Sequence, residues 1–416
     1  MSGDPAREAA LAIAQRVVAG ARLSDALDRE VTREVMSRAQ TAALTSLAYG
    51  VFRHLPALDA LLAARLKRPQ DLPDAVRWAL RLGAYERVYT HQPDYAVVHA
   101  WVNVVKRIYP KLGGLANAVL KRLVIPDDPS ALDAAHQPAW LQDALSAAYG
   151  DQAAKSLDSL LQPSPFWCTG YGAVEPVMQE DGMSYKPGPV PRSYAVRAQR
   201  SLRETQAYRS GRLQPQNPAS LEVARIAAER TTEGSVLDVC SGHGIKAAYL
   251  ASCGLQVTSV ELDGMKIQRA EANQARLGVA VAHIQADATK PLPTQAKVET
   301  VLVDAPCSSV GTLRRHPEIR LRFDPDRLDA TVKTQQRILG QASKHVADGG
   351  SLVYAVCSFL PQEGPDVVQR FLHDHPEFTE VDTEAALPWS PASVGGFIKP
   401  LDGLDAFYVA VLTRRV

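Results

Sequence analysis

From residue 5 to about residue 125 apolar side chains recur at intervals of three and four, as in Leu11, Val17 and Val18 and again in Leu44, Leu47, Val51 and Leu58. That spacing lines one face of an α-helix. Strand-like alternation is missing, and Pro56, Pro69, Pro73, Pro93 and Pro110 fall at intervals suited to breaks between helices, since a proline removes a backbone donor and cannot continue a helix. The pattern predicts a helical bundle of about 130 residues. One more amphipathic helix is expected over Pro138 to Leu161, followed by a Pro-, Gly- and Arg-containing stretch with weak periodicity. After residue 215 the pattern changes to short β-branched runs alternating with helical spacing: Ser235 to Val239, Gln256 to Val260, Val281 to Ile284, Thr300 to Val303, Ser351 to Ala355 and Ala406 to Leu412. This alternation is the signature of a parallel sheet with crossover helices. The expected division is a helical bundle over 1–130, a linking segment over 131–215 and an α/β domain over 216–416, with a mostly parallel seven-stranded sheet.

Length and composition support cores of ordinary size, with 416 residues of which 46% are hydrophobic. Five cysteines, an odd number, in a chain that opens without an apolar leader argue for reduced thiols in the cytoplasm, and a monomer is the expected state. Nothing approaches ~18 uninterrupted apolar residues, so no membrane span is expected. His and Cys show no metal-ligand spacing. The net charge of +1 hides one uneven stretch. Between 183 and 212, Lys186, Arg192, Arg197, Arg200, Arg203, Arg209 and Arg212 face a single acid, Glu204, with Tyr185, Tyr194 and Tyr208 interleaved. Such a segment suits RNA, guanidinium groups gripping phosphate and tyrosines stacking on bases; a solvated charged linker is the alternative.

The run Val236-Leu237-Asp238-Val239-Cys240-Ser241-Gly242-His243-Gly244 puts glycines where the first strand of the α/β domain hands over to a helix, as needed for a sharp turn close to a ligand. Glu261 at the end of the second strand can accept from ribose hydroxyls, and Asp287 after the third can meet an adenine amino group. A dinucleotide dehydrogenase is the competing reading. The spacing is D-x-x-x-G-x-G rather than G-x-G-x-x-G, which suits a cofactor without a pyrophosphate, such as S-adenosylmethionine.

The fourth strand runs into Asp304-Ala305-Pro306-Cys307-Ser308 and the fifth into Val356-Cys357-Ser358. Carboxyl ends of parallel strands line the ligand crevice, so both thiols should face the cofactor. Cys168 and Cys253 read as inert packing residues. Carbon 5 of cytosine is too weak a nucleophile to take a methyl group until a thiolate adds to carbon 6. An acid such as Asp304 would then stabilise the enamine through N3, and a second group, Cys307, would assist release.

These residues resemble the bacterial RsmB family of 16S ribosomal RNA cytosine-5 methyltransferases, also called Sun or Fmu. The resemblance rests on Asp304 to Ser308, Gly311, Arg314-Arg315-His316-Pro317-Glu318, Gln335-Gln336 and Gly349 to Tyr354 leading into Cys357-Ser358. It implies a Rossmann-like class I methyltransferase domain over 216–416, an RNA-recognition subdomain over 131–215, and an all-α NusB-like RNA-binding domain over 1–130 whose last helix holds Leu115 to Arg122. It implies Cys357 as nucleophile, Cys307 as the releasing residue, and Lys246 near the reacting centre. Cofactor contacts would come from Cys240, Ser241, Gly242, His243, Gly244, Ile245, Lys246, Glu261, Asp287 and Asp304, and RNA contacts from Arg314, Arg315 and His316. The expected partner is RNA, of the ribosomal kind. The family usually has Ala-Ala-Pro-Gly-Gly-Lys where this chain has Ser241 to Lys246, and that change keeps a non-catalytic RNA-binding or ribosome-assembly factor open as the alternative.

Overall fold

The computed structural model describes residues 5–33, 36–232, 234–383 and 385–416. The chain forms two compact units, Met1–Gln142 with Arg315–Phe323, and Asp143–Arg314 with Asp324–Val416. The first is helical, as its periodicity requires, with helices Pro5–Val18, Leu23–Arg33, Arg38–Arg53, Leu55–Ala63, Asp74–Tyr89, Asp94–Ile108, Gly113–Lys121 and Pro129–Ala135. All five prolines named above lie at helix starts: Pro56 in a first turn, Pro69 and Pro110 opening 3-10 turns, Pro73 and Pro93 just ahead of helices. They are tolerated there because the first helical N–H groups have no acceptor in any case. Leu44, Leu47, Val51 and Leu58 join Trp101 and Leu120 in one core. Val18 does not, since it lies at the helix end and is 52% exposed.

The second unit opens with a surprise. The helix expected over Pro138 to Leu161 is two helices, Ala139–Tyr149 and Ala153–Leu160, separated by a 3-10 turn at Gly150–Gln152. The weakly periodic stretch then folds as an antiparallel sheet of β1 (Trp167–Gly170), β2 (Ser184–Pro187), β3 (Ser193–Arg197) and β4 (Leu213–Pro215), in the order β2-β3-β1-β4. Strands of three to five residues are too short to show a period of two. Cys168 is buried in β1, as expected, whereas Cys253 is exposed at a helix end rather than packed inside.

The larger sheet contains β5 (Ser235–Val239), β6 (Gln256–Glu261), β7 (Ala282–Gln285), β8 (Val298–Asp304), β9 (Val346–Val356), β10 (Phe378–Glu380), β11 (Trp389–Pro391), β12 (Gly396–Ile398) and β13 (Phe407–Arg414). Its order is β11-β12-β13-β9-β8-β5-β6-β7, with β10 also paired to β13. Among the described residues it therefore has nine strands, where seven were expected and six located in the sequence; the three not located, β10, β11 and β12, are three-residue antiparallel additions at one side. The five strands from β7 to β9 are parallel. Their run of buried Val, Leu and Ala, including Val236, Leu302, Val353 and Ala355, reflects helices on both faces. The chain proceeds from β5 outward through β6 and β7, then restarts on the other side of β5 with β8. That reversal is where an open α/β sheet parts to form a ligand crevice. Among the described residues no helix is long and apolar enough to cross a membrane.

Candidate active site

β5 ends at Val239 and the chain turns directly toward the helix Ile245–Ser252. The turn is left-handed at Cys240 (φ 64°), Gly242 (φ 58°) and Gly244 (φ 67°). At Gly244 a side chain is excluded twice over, because a Cβ would sit 2.8 Å from that of Ala270 and 2.7 Å from Gln274 Nε2. Above Gly242 the same test meets open space, so the loop presents bare backbone to the crevice. His243 is exposed, while Gly244 and Lys246 are buried and Ser241 and Ile245 partly so. At the end of β6 Glu261 accepts from the Gly242 N–H at 2.8 Å and from the Asp263 N–H at 3.0 Å. Asp287, beyond β7, accepts from the Thr289 hydroxyl at 2.6 Å and N–H at 3.0 Å, bonds that hold its carboxyl below the usual range. Two acids thus follow successive strand ends, and one of them, Glu261, bonds to the glycine loop itself.

Beneath the loop lies Asp238, fully buried, whose carboxylate forms no well-made hydrogen bond. Burial pushes its pKa up to about 7, against the pull of Lys246 and the Ala247 amide. A buried polar group without a full partner costs free energy unless a ligand or water completes it. The open space over Gly242, the acids Glu261 and Asp287 at successive strand ends and this incomplete carboxylate together fit a cofactor bearing a ribose, an adenine and a charged amino-acid end.

β8 and β9 deliver the sulfurs. They pair in parallel with Asp304 opposite Ala355, so the two segments that follow emerge side by side. Cys307 Sγ and Cys357 Sγ are 3.3 Å apart, beyond the ~2.05 Å of a disulfide, and both thiols are free. Gly311 sets this proximity. Its N–H donates to Cys357 O at 3.0 Å and its carbonyl accepts from the Ala406 N–H at 2.9 Å, and any Cβ there would overlap both backbones.

The two thiols are not equivalent. The hydrogen bond to Cys357, then burial, push Cys307 well above the ordinary thiol value. Cys357 is lowered instead, chiefly because Cys307 donates to its thiolate, with help from Ser309 at 3.6 Å and the Lys246 ammonium. Burial and Asp304 oppose this without reversing it. Lys246 Nζ lies 2.6 Å from Asp304 Oδ2 and 5.4 Å above the Phe407 ring. Burial favours its neutral form, yet Asp304, Asp238 and Cys357 outweigh that and raise its pKa. The ammonium is therefore a fixed positive charge that favours the Cys357 thiolate.

Glu363 is the residue whose role the sequence pattern did not disclose. It is wholly buried; its carboxylate accepts from the Ser308 N–H at 2.8 Å, from the Ser308 hydroxyl and from Gln335 Nε2 at 3.1 Å. Gln335 also donates to Pro306 O at 3.0 Å. The loop carrying Cys307 is thus clamped on both sides of the cysteine. Glu363→Ala should lower the stability of this unit by about 3 kcal/mol, because buried donors lose a charged acceptor. Urea unfolding followed by tryptophan fluorescence measures it, and a change below about 1 kcal/mol would refute the clamp.

Of the three residues expected at RNA, Arg314 is buried at 3% exposure, with its guanidinium on Ser159 Oγ and on Pro400 O at 3.2 Å. It is committed to the fold rather than presented to a ligand. Arg315 and His316 belong to the helical unit, where Arg315 is exposed and His316 Nδ1 lies 3.7 Å from Glu318.

Fold and crevice together define a class I methyltransferase, preceded by a helical NusB-like unit. The profile of the 16S rRNA methyltransferase RsmB/F family matches residues 226–413, and that of the NusB family matches residues 4–124. Ribosomal RNA small subunit methyltransferase B of Thermus thermophilus is 39% identical over 413 residues, 99% of this chain and 98% of that protein. The protein of the same description from Escherichia coli O6:K15:H31 is 30% identical, with 98% of each chain covered. The chain belongs to this family of S-adenosylmethionine-dependent rRNA methyltransferases. Among solved structures, PH0851 superposes with a TM-score of 0.81 over 99% of both chains at 20% identity. NSun6 from Pyrococcus horikoshii, solved with SFG, superposes with a TM-score of 0.58 over 67% of this chain and 98% of its own at 17% identity. Both likenesses concern the fold.

Proposed function

We propose that the protein methylates carbon 5 of a cytosine in small-subunit ribosomal RNA, with Cys357 as nucleophile and Cys307 as the residue that frees the product. One observation carries this reading: two sulfurs 3.3 Å apart with oppositely shifted proton affinities, beside the Lys246–Asp304 pair at 2.6 Å. The loop from Cys240 to Lys246, with Glu261, Asp287 and Asp304, would hold S-adenosylmethionine, which when bound supplies an electrophilic methyl group.

Cys357 Sγ, as thiolate, forms a bond to C6 of the ring, and the electron pair of the C5–C6 double bond shifts toward N3. Asp304, a carboxylate paired with Lys246 in the resting site, takes a proton from solvent and passes it to N3, which restores the ion pair and leaves a neutral enamine with a nucleophilic C5. Once C5 is methylated its hydrogen must leave. Bonding to carbon removes the negative charge from Cys357, and with it the main cause of the high proton affinity of Cys307. Cys307, after losing its own proton to solvent, then takes the C5 proton, the C6–S bond breaks, and N3 returns its proton through Asp304 to solvent. Charges and protons balance over the cycle, with one proton released.

The test is chemical. The purified protein is given in vitro transcribed small-subunit rRNA and cofactor labelled in the methyl group, and the RNA is digested to nucleosides. All label is expected in 5-methylcytidine; label in N4-methylcytidine, or in no nucleoside, would overturn the reading.

A further inference from the structure

The basic, tyrosine-bearing stretch between 183 and 212 plays no part in the reaction above, and the fold divides its cations. Arg200 pairs with Asp181 at 2.6 Å, and Arg209 Nε donates to Arg203 O at 3.2 Å. Arg192 and Arg212 instead meet Arg276, from the end of the helix Gly264–Leu277, around a surface cavity of about 790 Å³ that Tyr171, Ser210 and Ser252 also line. No Asp or Glu lines it.

Among the described residues none of the three guanidinium groups has a carboxylate partner. Arg192 Nε donates to Gly170 O at 2.9 Å and its Nη2 to Ser252 Oγ at 3.0 Å, while the group lies 4.9 Å from the ring centres of both Tyr171 and Tyr249. Arg276 stacks on Tyr208 at 4.0 Å and donates to backbone carbonyls and to the side chains of Gln214 and Asn273. Arg212 accepts from the Tyr171 N–H at 2.9 Å through its backbone carbonyl, and its side chain is exposed and makes no hydrogen bond or ion pair among the described residues. Neutral acceptors fix two of the charges in place and cancel none of them. One further feature points to a ligand: the Tyr171 hydroxyl is buried without a partner among the described residues at the cavity wall.

The cavity's position separates it from the reacting base. Ala251, Ser252, Gly254 and Leu255 lead into β6, and Val279 and Ala280 lead into β7. The cavity is therefore at the amino edge of the parallel strands, whereas both cysteines follow carboxyl ends, about one strand length or ~17–20 Å away.

We propose that this cavity clamps a phosphate of the RNA backbone a few nucleotides removed from the target cytosine; the proposal rests on RNA being the substrate. Guanidinium forks match phosphate oxygens, and no amide or carboxylate is free there to read a base edge, so the contact is independent of sequence. Arg212→Glu tests it without disturbing internal bonds, with Arg212→Lys as the conservative control. Substrate RNAs containing the target cytosine are compared in a length series from five nucleotides upward. KM for the long RNAs should rise about tenfold in Arg212→Glu with kcat unchanged, and the slope of log Kd against log salt should fall by roughly one. The shortest RNA should show no difference, and Arg212→Lys should restore most of the affinity. A penalty at no length, or an equal penalty at every length, overturns the clamp. Binding of inorganic phosphate that Arg212→Glu abolishes, without any length-dependent penalty, would show a small-anion site and overturn it too. If the wild-type protein methylates none of the RNAs, the catalytic reading itself has failed, which the length series shows separately.

Discussion

Alanine at Cys357 should abolish methyl transfer, by at least about 10⁴-fold, and should form no covalent complex with RNA. Alanine at Cys307 should do something different: the protein should bond to RNA, methylate it and then stall, accumulating a complex that survives denaturing electrophoresis. The contrast follows from the geometry. The thiolate belongs to Cys357, whose pKa is depressed, while Cys307 holds the shared proton. On the roles proposed above, losing the first removes the nucleophile, while losing the second leaves attack possible and takes away the base needed for release. Loss of the Cys307 hydrogen bond also makes Cys357 less acidic, so the variant should react more slowly than wild type at neutral pH and regain ground as pH rises. Equal behaviour of the two variants, or full activity of either, would contradict these assignments.

Lys246→Met should lower kcat/KM by about 10²–10³-fold, the usual effect of removing one preorganised charge from a buried site. The substitution keeps most of the volume of a side chain that is only 8% exposed and deletes the ammonium beside Asp304 and Cys357. The sign on the pH profile is fixed. Lys246 favours the Cys357 thiolate, so its removal raises the pKa of that thiol, and the ascending limb of kcat/KM against pH should move to higher pH. A structural role alone would lower activity without moving the limb. An unchanged midpoint together with a loss below about threefold would show that the charge does not act on the sulfur.

The parts of the site legible in the sequence were those with a local signature. The turn from Cys240 to Gly244 announces itself because glycine is required where a strand meets a helix around a ligand, and the two cysteines stand out because each follows a β-branched run. Contacts that join distant segments leave no such trace. Glu363 bonds to Ser308 across 55 positions and to Gln335 across 28, and nothing in the spacing of those residues reveals that one buried carboxylate holds the Cys307 loop. Arg314 was expected at RNA only through the family resemblance, as part of the run that follows the Cys307 loop. The fold takes it inside onto Ser159 and Pro400, a decision made by tertiary packing. The larger sheet was readable where its strands are long and buried on both faces, and unreadable at β10 to β12, whose three residues each owe their conformation to β13 and its neighbours. The small antiparallel sheet was hidden for the same reason, and with it the gathering of Arg192 and Arg212 with Arg276, more than sixty residues further along the chain.

The central claim is that Cys357, and not Cys307, bonds to the pyrimidine. An RNA carrying 5-fluorocytosine at the target position tests it in the wild-type protein, since fluorine cannot leave C5 as a proton does and the adduct is trapped after methylation. Proteolysis and mass spectrometry of the trapped complex should place the methylated fluoropyrimidine on the peptide containing Cys357. Modification of the peptide containing Cys307, or no trapped complex at all, would contradict the account.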